Sequence, residues 1–444
     1  MQTLLTLSIA LFAGLMLSRL AKLLKLPAVT AYLVAGILVG PYLLGAFGVA
    51  GLGFTSMENI DTYGLLSDVA LGFIAFSIGN EFRWSQLKKT GRQATIIGIF
   101  QAVVATLLVD AALIGLHFLM PDKLPLPTAI VLGAVASATA PAATLMVVRQ
   151  YKAKGPLTDL LLPIVALDDA VGLVLFAVSF GVAKALVMGH VDVLSVVLEP
   201  ILEVVCSLLL GLVMGLLFSF FERFFHSRSK RLAMSVTFVF LTVALSMVEF
   251  HIGGVHVAFS SLLVCMMLGT VFCNICDFSE NLMERVDRWA APLFAVFFVI
   301  SGAELKLDVF TNYIFIVIGV VYILARSVGK YTGSYASAKL MKCDKNIVNY
   351  LGITLLPQAG VALGMANQVA GMTAYGDIVL NITLFAVLIY ELIGPLLTKI
   401  SLQKAGEIDP EGRTSARHDR HRNKKHKPHH GRHPEHETVA NSNE

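Results

Sequence analysis

Long uninterrupted runs of apolar residues leave this chain few ways to fold. A helix needs roughly 17–25 such residues to cross the hydrocarbon core of a bilayer. With no water there to satisfy backbone N–H and C=O groups, helices are the natural form for runs of that length. About thirteen can be placed, broadly at residues 2–20, 27–43, 62–81, 93–120, 127–149, 157–186, 193–221, 231–249, 253–273, 289–305, 309–338, 346–370 and 377–400. Composition agrees: 56% of the 444 residues are hydrophobic and 14% are charged, more apolar surface than a soluble domain can cover. The expected fold class is an all-α polytopic membrane protein. No basic stretch or small-residue cleavage site marks the run from Met1, so it is expected to be a retained helix.

Basic residues alternate between rich and poor connections, as the positive-inside rule requires. The rich ones carry Arg19, Lys22 and Lys25; Arg83, Lys88, Lys89 and Arg92; Arg149, Lys152 and Lys154; Arg223, Arg228, Lys230 and Arg231; Arg285 and Arg288; and Lys339, Lys342 and Lys345. Lys123 and Lys306 are the main exceptions on the other side. The pattern puts the N-terminus outside and the C-terminus inside, and it requires an odd span count. The net charge of +4 is dispersed in these clusters, which argues for topology and against a nucleic-acid surface.

An odd count near thirteen allows two sets of six helices around a linker, inverted with respect to each other in the membrane. The fifth member of each set is interrupted: Ser137-Ala138-Thr139-Ala140-Pro141 in one, Leu356-Pro357-Gln358-Ala359-Gly360 in the other. At ~1.5 Å per residue both interruptions fall near the bilayer midplane. Two broken helices crossing there would offer free carbonyls and opposed dipole ends to an ion.

The chemistry centres on Asp168 and Asp169, side by side in the apolar stretch Leu161–Gly172. A charge at membrane depth costs at least about 2.5–3.5 kcal/mol, so such residues are expected to be functional. Neighbours on a helix point about 100° apart, which lets one aspartate face the crossing while the other faces elsewhere. A buried carboxylate holds a proton or a cation, and not easily both; that competition is the minimum chemistry of an antiporter. Thr139, Ser137 and Gln358 at the interruptions join the pair as candidate ion and proton ligands. Lys306, Arg326 and Lys330 are the candidate charge partners, with Arg326 and Lys330 one turn apart. A buried structural ion pair is expected of Arg326, and Glu81 is expected to be a boundary group.

The five cysteines, Cys206, Cys265, Cys273, Cys276 and Cys343, lie in or beside apolar runs. Cys273-Asn274-Ile275-Cys276 lacks the second pair a zinc site needs, so a reduced structural role is expected. Residues 405–444 form a His-rich, basic tail whose composition predicts disorder. No glycine-rich nucleotide fingerprint follows the last helix, and no resident cofactor is expected.

Several segments together resemble the monovalent cation:proton antiporter-2 family of the sodium/hydrogen exchanger superfamily. They are Leu26-Pro27-Ala28-Val29 with the following Ala31–Pro41, Phe76–Phe82 with Asn80 in place of a usual leucine, Asp168-Asp169, Phe297-Phe298 through Gly302, and Gly352 through Gly364. The resemblance covers nearly the whole membrane region. It implies an inverted-repeat antiporter fold with two broken crossing helices over residues 1–404. It further implies a homodimer, with dimerisation helices over about 1–81 and 193–305 and a mobile core over about 93–186 and 309–400 that carries the ion as an elevator. Asp169 would then be the main carrier of Na⁺ or K⁺ and of H⁺, with Asp168 as its partner, paired with a lysine when no cation is bound. The expected setting is a bacterial inner membrane.

Three other readings compete. A channel also uses buried acids; a sodium-coupled symporter would need polar groups for an organic solute; and an intramembrane aspartyl protease would place its two aspartates on different helices, where Asp68 and Asp110 are the available second members.

Overall fold

The computed structural model describes residues 2–24, 26–49, 52–80, 82–188, 193–248, 250–252, 255–276, 278–305, 307, 313–370 and 375–408. Lys25, Glu81, Lys306 and the tail from residue 409 lie outside the described residues.

Helices dominate. In chain order they are α1 (Gln2–Leu23), α2 (Ala28–Val39), α3 (Met57–Asp61), α4 (Gly64–Gly79), α5 (Trp84–Leu119), α6 (Leu126–Val135), α7 (Pro141–Gln150), α8 (Pro156–Met188), α9 (Val193–Glu222), α10 (Arg228–Ser246), α11 (Ser261–Ile275), α12 (Ser279–Glu304), α13 (Tyr313–Leu340), α14 (Lys345–Thr354), α15 (Gly360–Ala370) and α16 (Gly376–Lys404). Among the described residues, nine helices are long and apolar enough to cross a membrane, and α4, α6 and α11 are shorter apolar helices. The lower number has a physical reason. Two of the expected spans are each a pair of short helices, α6 with α7 and α14 with α15, and α4 and α11 have only 16 and 15 residues. The expected span from residue 253 also begins differently. Phe250–Ile252 (β1) pairs antiparallel with Val255–Val257 (β2), and the helix starts only at Ser261.

Two sets of contacts can be followed through the helices, and α8 with α9 and α2 with α16 pack between them. In the first, α2 lies against α1 and α12, and α4 against α11 and α12, with α9 and α10 alongside α11. Small residues bring these helices into backbone contact. A Cβ on Gly36 of α2 would run into the carbonyl oxygen of Val299 on α12, and one on Gly302 of α12 would run into that of Leu33 on α2. The aromatic rings of Phe76, Phe218, Phe238 and Phe272 fill the space between α4, α9, α10 and α11, with Phe218 and Phe272 stacked at 4.4 Å.

In the second group, α5 packs along α13 and α8, α6 along α8, and α16 against α13, α14 and α15. Polar contacts join the two groups at one end. Arg149 of α7 pairs with Asp287 of α12, which accepts from Ser77 Oγ at 2.9 Å, and Gln150 Oε1 accepts from Ala28 N at 2.8 Å.

A second contact fixes the start of α8. Glu407, just past α16, accepts from the backbone N–H groups of Leu157 at 2.6 Å and Thr158 at 2.8 Å, and from Thr158 Oγ1 at 2.6 Å. Those N–H groups have no partner within their own helix, and a carboxylate there also meets the positive end of the helix dipole.

Candidate functional site

Prolines and glycines cut two helical segments at matching places. Pro141 opens α7 at its first position, where its missing N–H costs nothing and its fixed φ suits the turn. Between α14 and α15 the chain leaves the helix, with Pro357 inside the break and Gly360 as the first residue of α15. The two interruptions meet: Ala140 N donates to Pro357 O at 2.8 Å, and Thr139 Oγ1 to Leu355 O at 3.3 Å.

The ends of α6 and α14 leave carbonyls pointing into this crossing, and α13 answers them with two cations one turn apart. Arg326, fully buried, donates to Ala136 O at 2.9 Å, Ala138 O at 2.6 Å and Leu356 O at 2.7 Å. Its guanidinium also lies 4.5 Å from the centre of the Tyr390 ring. The ion pair expected of Arg326 is thus replaced by carbonyl oxygens from two helix C-termini, where positive charge is favoured. Lys330, also fully buried, donates to Ser137 O at 2.5 Å, to Thr139 Oγ1 at 2.9 Å and to Asp168 Oδ2 at 2.9 Å.

Asp168 is held on every side. Besides Lys330, it accepts from Thr139 Oγ1 at 2.5 Å and from the amide of Gln101 on α5, which also donates to Gly98 O at 2.9 Å. Asp169 differs completely. It is 2% exposed, and neither of its carboxylate oxygens has a hydrogen-bond partner among the described residues. The 100° offset between neighbours on α8 accounts for the contrast: one side chain turns into the layer of α5, α13 and the crossing, the other turns away from it.

A cavity lies on the same face of α8 as Asp169, nearer the start of that helix. It measures about 880 Å³ and is lined by Thr158, Asp159, Leu162 and Pro163 of α8, with Arg149 and Lys152 on one side and Glu284, Asp287 and Arg288 of α12 on the other. Asp159, Leu162, Ala166 and Asp169 follow one another at three- and four-residue steps, the spacing of a single helix face. Asp169 therefore continues the stripe that lines the cavity, two turns deeper.

The other sequence candidates fall into place around this core. The backbone carbonyl of Ser137 meets Lys330, while its hydroxyl donates to Ala134 O at 2.7 Å. Gln358 turns away from the aspartates; its amide donates to Val135 O and to the Tyr322 hydroxyl, both at 2.9 Å. Asp110 stands against Gly133 of α6 on the far part of α5. All five cysteines are free thiols, and Cys276 Sγ rests 3.6 Å from Glu222 Oε2. Gln101 was not anticipated; its signal was an amide in the middle of an apolar run.

The family model for the sodium/hydrogen exchanger, transmembrane, matches residues 7–404. The chain belongs to this family. It is a transmembrane transporter, not an enzyme. Among curated proteins it is similar to the Na⁺/H⁺ antiporter NhaS4 of a Synechocystis strain, with 24% identity over 81% of this chain and 88% of that protein. Its fold matches solved structures of the sodium proton antiporter MjNhaP1 from Methanocaldococcus jannaschii. The pH 8 structure aligns with a TM-score of 0.61 and 20% identity over 91% of this chain and 97% of that one. The electron-microscopy structure aligns with a TM-score of 0.66 and 18% identity over 90% and 94%.

Proposed function

We propose that this chain exchanges Na⁺ for H⁺ across a bacterial cytoplasmic membrane, with Asp169 as the group that alternately carries the cation and the proton. The observation that carries this reading is the contrast between the two aspartates. Asp168 is tied to Lys330, Thr139 and Gln101. Asp169 keeps both oxygens without a hydrogen-bond partner among the described residues, on the helix face that lines the large cavity two turns away. A buried charge without a partner is costly, so Asp169 is best served by a proton or by a dehydrated cation, and each excludes the other. A hard monovalent ion suits such an all-oxygen setting, and the curated relative's printed activity favours Na⁺ over K⁺ as its identity.

In this reading Lys330 holds Asp168 while the site is empty, and an arriving cation loosens the pair by drawing Asp168 toward itself. Counting α4, α11 and the two interrupted segments as crossings gives thirteen spans, with N-terminus outside and C-terminus inside. The two interruptions then form the crossing of an inverted repeat. The group of α5–α8 and α13–α16 serves as the moving core. The group of α1–α4 and α9–α12 serves as the fixed dimerisation scaffold, past which the core slides as an elevator; the Arg149–Asp287 pair is broken and remade in each cycle.

The test is proton flux in proteoliposomes followed with a pH dye, adding Na⁺, K⁺ or Li⁺ to wild type, Asp168→Asn and Asp169→Asn. A Na⁺ pulse that dissipates the gradient in wild type and not in Asp169→Asn supports the reading. Absence of cation-coupled proton movement in wild type removes it.

A further inference from the structure

A second acid-lined cavity lies at the other end of α12. It measures about 130 Å³ and reaches the crossing itself, because its walls include Ala142 and Ala143 of α7 and Ala359, Gly360 and Val361 of α15. The polar side chains lining it all offer oxygen: Ser67 of α4, Ser301 and Glu304 of α12, and Glu391 of α16. Among the described residues, no lysine, arginine or histidine lines it.

Glu391 sits at the middle of α16, 5% exposed, and its Oε2 has no hydrogen-bond partner among the described residues. Ser67 Oγ is likewise buried without a partner. Glu304 is exposed, close enough to Glu391 for the two charges to interact, and Asp61 and Asp68 act electrostatically on Glu304 in turn. Acidic charge therefore increases toward the mouth of the cavity, an arrangement that concentrates cations. The first turns of α7 and α15 offset part of the carboxylate charge, and no basic side chain among the described lining residues offsets the rest.

We propose that this cavity is a second binding site for the transported monovalent cation, with Glu391 at its floor and Glu304 at its mouth. The identity of the ion rests on the antiporter reading; the site itself rests on the cavity, the oxygen-only polar lining among its described residues and the unpartnered Oε2 of Glu391. Adjacent to both interruptions, and at the opposite ends of α7 and α12 from the cavity beside the start of α8, it is a waiting position on the other half of the route.

The experiment is equilibrium binding of radioactive Na⁺ to the full-length purified protein in an Asp169→Asn background, which removes the main carboxylate. Saturable Na⁺ binding that survives Asp169→Asn and weakens at least about tenfold (~1.4 kcal/mol) in Asp169→Asn/Glu391→Gln is the expected result. Glu304→Gln, at the exposed mouth and safe for folding, is expected to weaken it about threefold in the same background. No saturable binding in Asp169→Asn, while wild type exchanges Na⁺ for H⁺, overturns the second site and leaves the antiporter standing. Binding that survives in Asp169→Asn but is untouched by both glutamate changes overturns the assignment to this cavity. A wild type without Na⁺-coupled proton movement removes the antiporter reading instead.

Discussion

The two helix groups solve opposite problems. In the group around α2, α4, α11 and α12, helices approach until backbone touches backbone, and the fit is made by missing side chains: Gly36 and Gly302 each leave room for a carbonyl of the facing helix. In the group around α5, α8 and α13, the middle of the layer is occupied by charge, with Asp168, Lys330 and Arg326 fully buried. The first group gains rigidity from shape. The second bears the cost of dry charges, which in the proposed function are what the ion exchanges with. The lesson is that a disruption of the first should change only how much protein folds, whereas in the second the paired charges should hold the fold and the unpartnered Asp169 should change only what the folded protein does.

The sharpest way to break this contrast is Lys330→Ala. Removing one partner of a buried pair leaves the other uncompensated, a loss of about 3–5 kcal/mol. Thermal unfolding of the purified protein should show that loss, and Lys330→Ala/Asp168→Asn should recover part of it. A single variant as stable as wild type would mean that the charged layer is not held together by this pair.

Next comes Asp169→Asn. Because Asp169 makes no hydrogen bond among the described residues, its unfolding midpoint should stay near that of wild type. Na⁺-driven proton flux should nevertheless fall at least about 100-fold, equivalent to ~2.7 kcal/mol. Loss of both together would merge the two classes of effect and defeat the comparison.

In the scaffold, Gly302→Ala should cost about 1–3 kcal/mol of stability through overpacking against Leu33. Flux per folded molecule should remain within about twofold. Smallest is Glu407→Gln, which keeps the shape of the α8 cap but removes its charge. A loss of about 0.5–1 kcal/mol is expected, read as a lower unfolding midpoint that approaches wild type's in high salt only if the dipole interaction is what was lost.

Much of this architecture was legible because membrane crossing is a demand on length, and length survives in a sequence. The two interruptions announced themselves through Pro141, Pro357 and Gly360, residues with local backbone consequences. Choosing among Lys306, Arg326 and Lys330 was harder. Periodicity along α13 puts Arg326 and Lys330 on one face, but it does not say which neighbour that face meets, and the division of labour between carbonyls and carboxylate appears only in three dimensions. Gln101 was missed for a related reason: one amide in an apolar run has no period. The β1–β2 pairing did leave a signal, the dipeptide Gly253-Gly254 between Ile252 and Val255, a sequence of the kind hairpins favour, flanked by strand formers. A hydrophobicity window reads straight across it.

Asp168 and Lys330 stand 162 residues apart in the chain. Synthesis delivers the acid long before the lysine that neutralises it, and the carbonyls of residues 136–138 long before Arg326. At that stage α8 carries a charge that costs at least about 2.5–3.5 kcal/mol to leave in lipid. Its final seat must wait until α13 emerges. The ion pair can therefore form only after α13 has been made, so the charge on α8 is among the last of the core to find its partner.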